Sequence, residues 1–156
     1  MLPWLEATAL ATWVRESPSI LAYPTVLTLH TAGLGVVVGA AVVVDLRLLG
    51  YARRIRVATL EPLFTVMACA FALNLVTGVL LFIADATTKA KQPVFYVKLG
   101  MILIALWCTF ATRRIIRDNS EDTAVDTVPA HGARLSMASL LLWTGAIVAG
   151  RLMAYL

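Results

Sequence analysis

Apolar residues fill four long stretches of this chain, and polar ones gather at the joins and at a few places inside. The first stretch, Thr25–Gly50 (TVLTLHTAGLGVVVGAAVVVDLRLLG), has no formal charge before Asp45. Some 20 apolar residues in helix cross a bilayer core, so a first membrane-spanning helix is predicted here. At about 100° per residue, His30, Gly33, Leu34, Val37, Ala41 and Asp45 fall on one side. Gly35 and Gly39 fall on the other, in the G-x-x-x-G spacing that lets a second backbone approach closely in lipid. One face is left for a site and one for helix packing, which predicts self-association.

The second span is Pro62–Ala84, charge-free between Glu61 and Asp85, with Met67, Ala70, Asn74, Thr77, Gly78, Leu81 and Asp85 on one side. Asn74 sits near mid-span and needs an interhelical partner. The third runs about Pro93–Thr112, with Lys98 in its first turns and Met101, Ala105, Thr109 and Thr112 on or near the same face. The fourth runs about Leu135–Leu156, where Met137, Thr144, Arg151 and Tyr155 share a face. Residues 2–16, LPWLEATALATWVRE, are too short and too polar to span, but Leu2, Leu5, Ala9 and Trp13 share one face. An interfacial amphipathic helix anchored by Trp4 and Trp13 is expected, with Ser17-Pro18 and Tyr23-Pro24 breaking the chain before the first span. The fold expected is an all-α integral membrane protein: one four-helix bundle over residues 1–156 with an N-terminal interfacial helix.

Composition agrees. Of 156 residues, 60% are hydrophobic and only 14% charged, and the mean hydropathy is +0.85; a polytopic membrane protein follows. The net charge of +4 is no nucleic-acid signal, because the arginines sit in loops that flank apolar helices. Arg47, Arg53, Arg54, Arg56, Arg113, Arg114, Arg117 and Arg134 lie at one side of the expected bundle. Arg15, Lys89, Lys91, Lys98 and Arg151 lie at the other, eight against five. The basic side faces the cytoplasm, which puts both termini in the periplasm of a bacterial inner membrane. The chain opens without the basic n-region of a cleaved signal peptide. Cys69 and Cys108 lie in apolar runs and are expected as buried free thiols.

Depth along the spans brings candidate chemistry into view. His30, Lys98 and Arg151 each lie five residues from the outer end of their predicted helices, and Asp85 caps the outer end of the second span. Ionisable groups within membrane helices mark functional sites by default. The competing structural account lets Lys98 and Arg151 snorkel to water, Asp85 neutralise one of them, and His30 bond a backbone carbonyl. Asp45 with Arg47 reads as an interfacial i,i+2 feature, and His131 as a solvated loop residue. Met67, Met101 and Met137 read as core packing, with copper ligation as the alternative for these soft sulfurs.

The segments WLEATALATWVRESPSILAYPTVLTLHTAGLG, VVDLRLLG, VTGVLLFIADATTKAKQPVFYVKL and LLWTGAIVAGRLMAYL resemble, in that order, an uncharacterised family of bacterial four-helix membrane proteins. More distantly, the early histidine, the TG-x-LL sequence and a later helix containing KL are similar to CopD-type copper-resistance proteins. They are also similar to HemJ-type protoporphyrinogen oxidases. The second resemblance implies a b-type haem held by His30 and Lys98. Arg151 would hold a propionate, and Asp85 and Asn74 would support the site. The first implies copper handling. This chain has no second histidine within its spans and no methionine-rich tract. The expectation is a haem-binding redox or haem-handling module, with copper handling, or a non-catalytic accessory subunit of a membrane complex, as alternatives. No catalytic residue is assigned.

Overall fold

Four apolar stretches become four long helices. A computed structural model of the protein describes residues 2–51, 54–120 and 130–155; Arg53 and the middle of the polar loop, residues 121–129, lie outside them. The spans are α3 (Tyr23–Leu48), α4 (Glu61–Ile83), α6 (Pro93–Ser120) and α7 (Ala130–Leu152), joined by shorter helices α1 (Pro3–Glu6), α2 (Ala9–Glu16) and α5 (Ala86–Lys89). Each of the four long helices carries a stretch long and apolar enough to cross a membrane. The protein is a multi-pass, all-α four-helix membrane bundle.

Local chemistry explains where the elements depart from expectation. The helix expected over residues 2–16 is two helices, because the Thr8 hydroxyl accepts the Ala11 amide at 3.3 Å and donates to the Leu5 carbonyl at 2.7 Å. A capping hydroxyl of this kind starts a new helix. Pro24 and Pro62 fall in the first turns of α3 and α4, where a missing amide hydrogen costs nothing. So Tyr23-Pro24 begins the first span rather than preceding it. α3 ends on Gly50, whose φ of 90° is open to glycine. The Gly50 amide donates to the Arg47 carbonyl and the Tyr51 amide to the Leu46 carbonyl, each at 3.1 Å, closing the helix in a Schellman motif. α6 runs past Thr112 to Ser120, since no glycine or proline interrupts RRIIRDNS.

α3 packs along α4, α6 packs along α7, and α3 shares a second seam with α7, whereas α4 and α6 touch only sparingly. The bundle is therefore two antiparallel pairs joined edge to edge, with α3 and α6 on a diagonal. Val37, Ala41, Val44, Phe64, Met67 and Trp143 are among the buried core residues. Leu103, Trp107, Phe110 and Leu141 point outward, as lipid-facing side chains do. Met137 and Cys69 also face outward, against the expectation of burial, while Cys108 is buried.

One end of the bundle is covered by the N-terminal segment. Ala11 and Val14 of α2 are fully buried, Arg15 Nη1 donates to the Ala84 carbonyl at 3.4 Å, and the Thr87 amide donates to Glu6 Oε1 at 2.6 Å. Trp4 and Trp13 stay exposed, placed as interfacial anchors are. We call this the covered end. At the opposite, arginine end, Arg113 donates through Nε at 3.0 Å and Nη2 at 2.7 Å to Glu61 Oε1.

Candidate functional site

The α3–α4 seam near the covered end is closed by glycine. A methyl group at Gly33 would meet the Ala70 carbonyl oxygen at 3.3 Å, and one at Gly78 would meet His30 Cε1 at 3.1 Å. This close approach lets two polar residues interlock across the seam. Asn74 Nδ2 donates to the His30 carbonyl at 2.7 Å. In return, His30 Nδ1 lies 3.1 Å from the Asn74 carbonyl oxygen and 3.1 Å from Thr77 Oγ1. A carbonyl only accepts, and the Thr77 hydroxyl donates to Leu73 O at 2.8 Å. The proton therefore belongs on Nδ1, and Nε2 keeps its lone pair with no hydrogen-bond partner among the described residues. Asn74 has the interhelical partner its position demanded, and it is His30.

Lys98 rises from α6, half-buried. Its Nζ would stand 3.4 Å from a methyl on Gly150 of α7, so glycine again makes the room. No ion pair or hydrogen bond engages this ammonium among the described residues. Lys98 and Lys89 are close enough for their charges to bear on the His30 ring. Lys89 donates its Nζ to the Leu81 carbonyl near the end of α4. Burial pushes its ammonium pKa down, and the nearby Asp85 carboxylate opposes that shift. Asp85 opens α5 without a capping bond, within electrostatic reach of Arg15 and Lys89.

The structure thus brings His30, Asn74, Lys98, Lys89 and Asp85 to one end. Arg151 stands apart: it is exposed, with its guanidinium 5.3 Å above the centre of the Tyr155 ring. Gly35 and Gly39 are exposed, and a methyl at either would meet nothing within 4 Å. The glycines that close contacts inside the molecule are Gly33, Gly78, Gly145 and Gly150.

A second polar cluster, near the arginine end, is one that sequence reasoning passed over. Asp45 and Arg47, expected at the interface, are each only 3% exposed. Asp45 continues the inward stripe of Gly33, Val37 and Ala41, whereas the Arg47 Nε donates to the Ile55 carbonyl. Asp45 meets the hydroxyls of Ser136 and Ser139 on α7, both buried, and lies beside a small cavity also lined by Thr109, Thr112, Phe64 and Met67. Its place on the His30 stripe was the available signal.

Among the described residues, no three His, Cys, Asp or Glu side chains converge as a metal centre built from them would need. Met101 turns its sulfur to Gly145 and Cys108 is buried one α6 segment away. No family model matches the chain, and neither a curated protein nor a solved structure matches it.

Proposed function

We propose that this protein is a haem-binding redox or haem-handling module of a bacterial inner membrane, with its site at the covered end near the periplasmic face. The observation that carries this reading is a pair of unpartnered Lewis bases on diagonal helices. His30 offers Nε2, its tautomer set by the Nδ1 bond to Asn74, which is how proteins orient metal-ligating imidazoles. Lys98 meets no acid among the described residues and, once it gives up its proton, offers a primary amine. An imidazole is a favoured axial ligand of haem iron, and an amine ligates through its lone pair. This donor set fits a b-type haem; when bound, the haem would supply one-electron chemistry, while the chain's residues hold and orient it. The resemblance to HemJ-type proteins supports the same two positions. The excess of arginine at the opposite end supports the periplasmic orientation.

The test is the absorption spectrum of the purified protein, oxidised and reduced, with a metal assay on the same sample. A Soret band is expected, lost in His30→Ala and shifted but retained in Lys98→Met. Stoichiometric copper without haem would transfer the site to copper handling. A colourless, metal-free protein from cells supplied with haem would end both readings and leave the cluster as helix-packing chemistry. Orientation is checked separately: cysteines introduced at Thr88 and Ser120 should label oppositely with an impermeant reagent, Thr88 from outside.

A further inference from the structure

Asp45 lies 15 residues beyond His30 on α3, about 22 Å along the helix axis, so its surroundings form a separate site. The described residues that line it bring side-chain oxygens, from Asp45, Thr109, Thr112 and Ser139, and no histidine. Asp45 Oδ2 and Thr112 Oγ1 are buried without a hydrogen-bond partner, and their residues are 3% and 2% exposed. Ser139 and Thr109 line the same space. Unsatisfied polar atoms are costly in a bundle interior, and a carboxyl in a membrane helix more so. Two of them, on Asp45 and Thr112, facing one cavity point to something that binds there.

Charge narrows the choice. On α3, Arg47 turns to the Ile55 carbonyl. On α4, Glu61 pairs with Arg113 of α6 at 2.7 Å. Cys108 of α6 lies within electrostatic reach of Asp45, and Arg134 of α7 is exposed. Among the described residues no cationic side chain neutralises Asp45, so its occupant carries one positive charge. Hardness and size narrow it further. Carboxylate and hydroxyl oxygens select hard cations over soft metals. The cavity is about 10 Å³, near the least space that holds one water. Mg²⁺ retains several waters and is excluded.

We propose that Asp45, Thr112 and Ser139 form a binding site for one Na⁺ ion between α3, α6 and α7, with Ser136 beside the Asp45 carboxyl. A proton competes for the same carboxylate, because only the ionised form binds the metal.

The test uses the full chain in lipid nanodiscs, with thermal unfolding followed in NaCl and in choline chloride at equal ionic strength, alongside ²²Na⁺ binding. Saturable, one-site stabilisation by Na⁺ is expected, with apparent affinity falling about tenfold per pH unit once Asp45 is protonated. Asp45→Asn should abolish ²²Na⁺ binding, and Thr112→Val and Ser139→Ala should weaken it severalfold. Identical melting in the two salts would overturn the site, as would Na⁺ binding retained by Asp45→Asn. If Asp45→Asn does not fold, Thr112→Val decides: Na⁺ affinity unchanged from the parent overturns the ligand set. Stabilisation by acid with no response to Na⁺ would make Asp45 a neutral carboxyl and also overturn the proposal. None of these outcomes depends on whether haem binds at the other end.

Discussion

At the covered end, polar groups lean on backbone: within the spans His30 bonds the Asn74 carbonyl and Asn74 bonds the His30 carbonyl, and Lys89 of α5 bonds the Leu81 carbonyl. At the arginine end, Asp45 meets only side-chain hydroxyls around a cavity. Backbone partners are fixed by helix geometry, so the first arrangement is rigid and leaves over only the atoms that protrude from it, His30 Nε2 and the Lys98 amine. Hydroxyls rotate, so the second can turn its oxygens toward an occupant. One end presents donors; the other lines a small cavity with oxygens. Both depend on small residues, which let helices approach in lipid, where no hydrophobic force draws them together.

The sharpest way to break the contrast is Gly33→Leu. A bulky side chain forced against the Ala70 carbonyl should cost about 2–3 kcal/mol and separate α3 from α4, measured by unfolding in mixed micelles. A stability equal to the parent's would mean the seam is not closed by glycine. Next comes Asn74→Leu, which removes the 2.7 Å bond to the His30 carbonyl. A loss of about 1 kcal/mol is expected, as for interhelical hydrogen bonds in membranes generally, with the cavity at Asp45 unaffected. Coupled loss of ²²Na⁺ binding would show that the two ends are not independent. Arg113→Ala should cost less than about 1 kcal/mol, because both members of the Glu61 pair are 37% exposed.

Acid gives a smaller, local effect. The Thr87 amide holds the Glu6 carboxyl below the usual carboxylate range. A depressed carboxylate stabilises its folded contact above its ordinary pKa, and that contribution is lost as pH falls through the lowered value. Docking of α1 on α5 should weaken there, seen as a change in Trp4 and Trp13 fluorescence that Glu6→Gln lacks. Smallest of all on the fold is Gly35→Leu, since nothing lies within 4 Å of that position. Monomer stability should be unchanged, and any self-association through the Gly35/Gly39 face should be lost in cross-linking. An unaltered oligomer would make that face a lipid surface.

The four spans and the inward stripe from His30 to Asp45 were legible because apolar runs and a 3.6-residue period survive in any bilayer-spanning helix. His30 and Lys98 stood out because such residues are rare in hydrocarbon. The cavity did not, since serine and threonine are ordinary in membrane helices and Arg47, two residues on, made Asp45 look interfacial. Only the packing of α7 on α3 brings Ser136 and Ser139 to that carboxyl. The boundaries shifted for local reasons: a threonine cap split the N-terminal helix, and an uninterrupted polar run carried α6 beyond the apolar stretch.

The sparse seam between α4 and α6 bears on how the chain is made. Each close pair, α3 with α4 and α6 with α7, is formed by helices adjacent in sequence, and the α3–α7 seam is the main contact between the two pairs. Synthesis runs from the N-terminus, so the first hairpin, with its His30–Asn74 interlock, can insert and lock before the second leaves the ribosome. Assembly then ends in a single docking of two finished hairpins. That step alone creates the Asp45 cavity, so an assembly fault would empty one end of the molecule and leave the seam holding His30 intact.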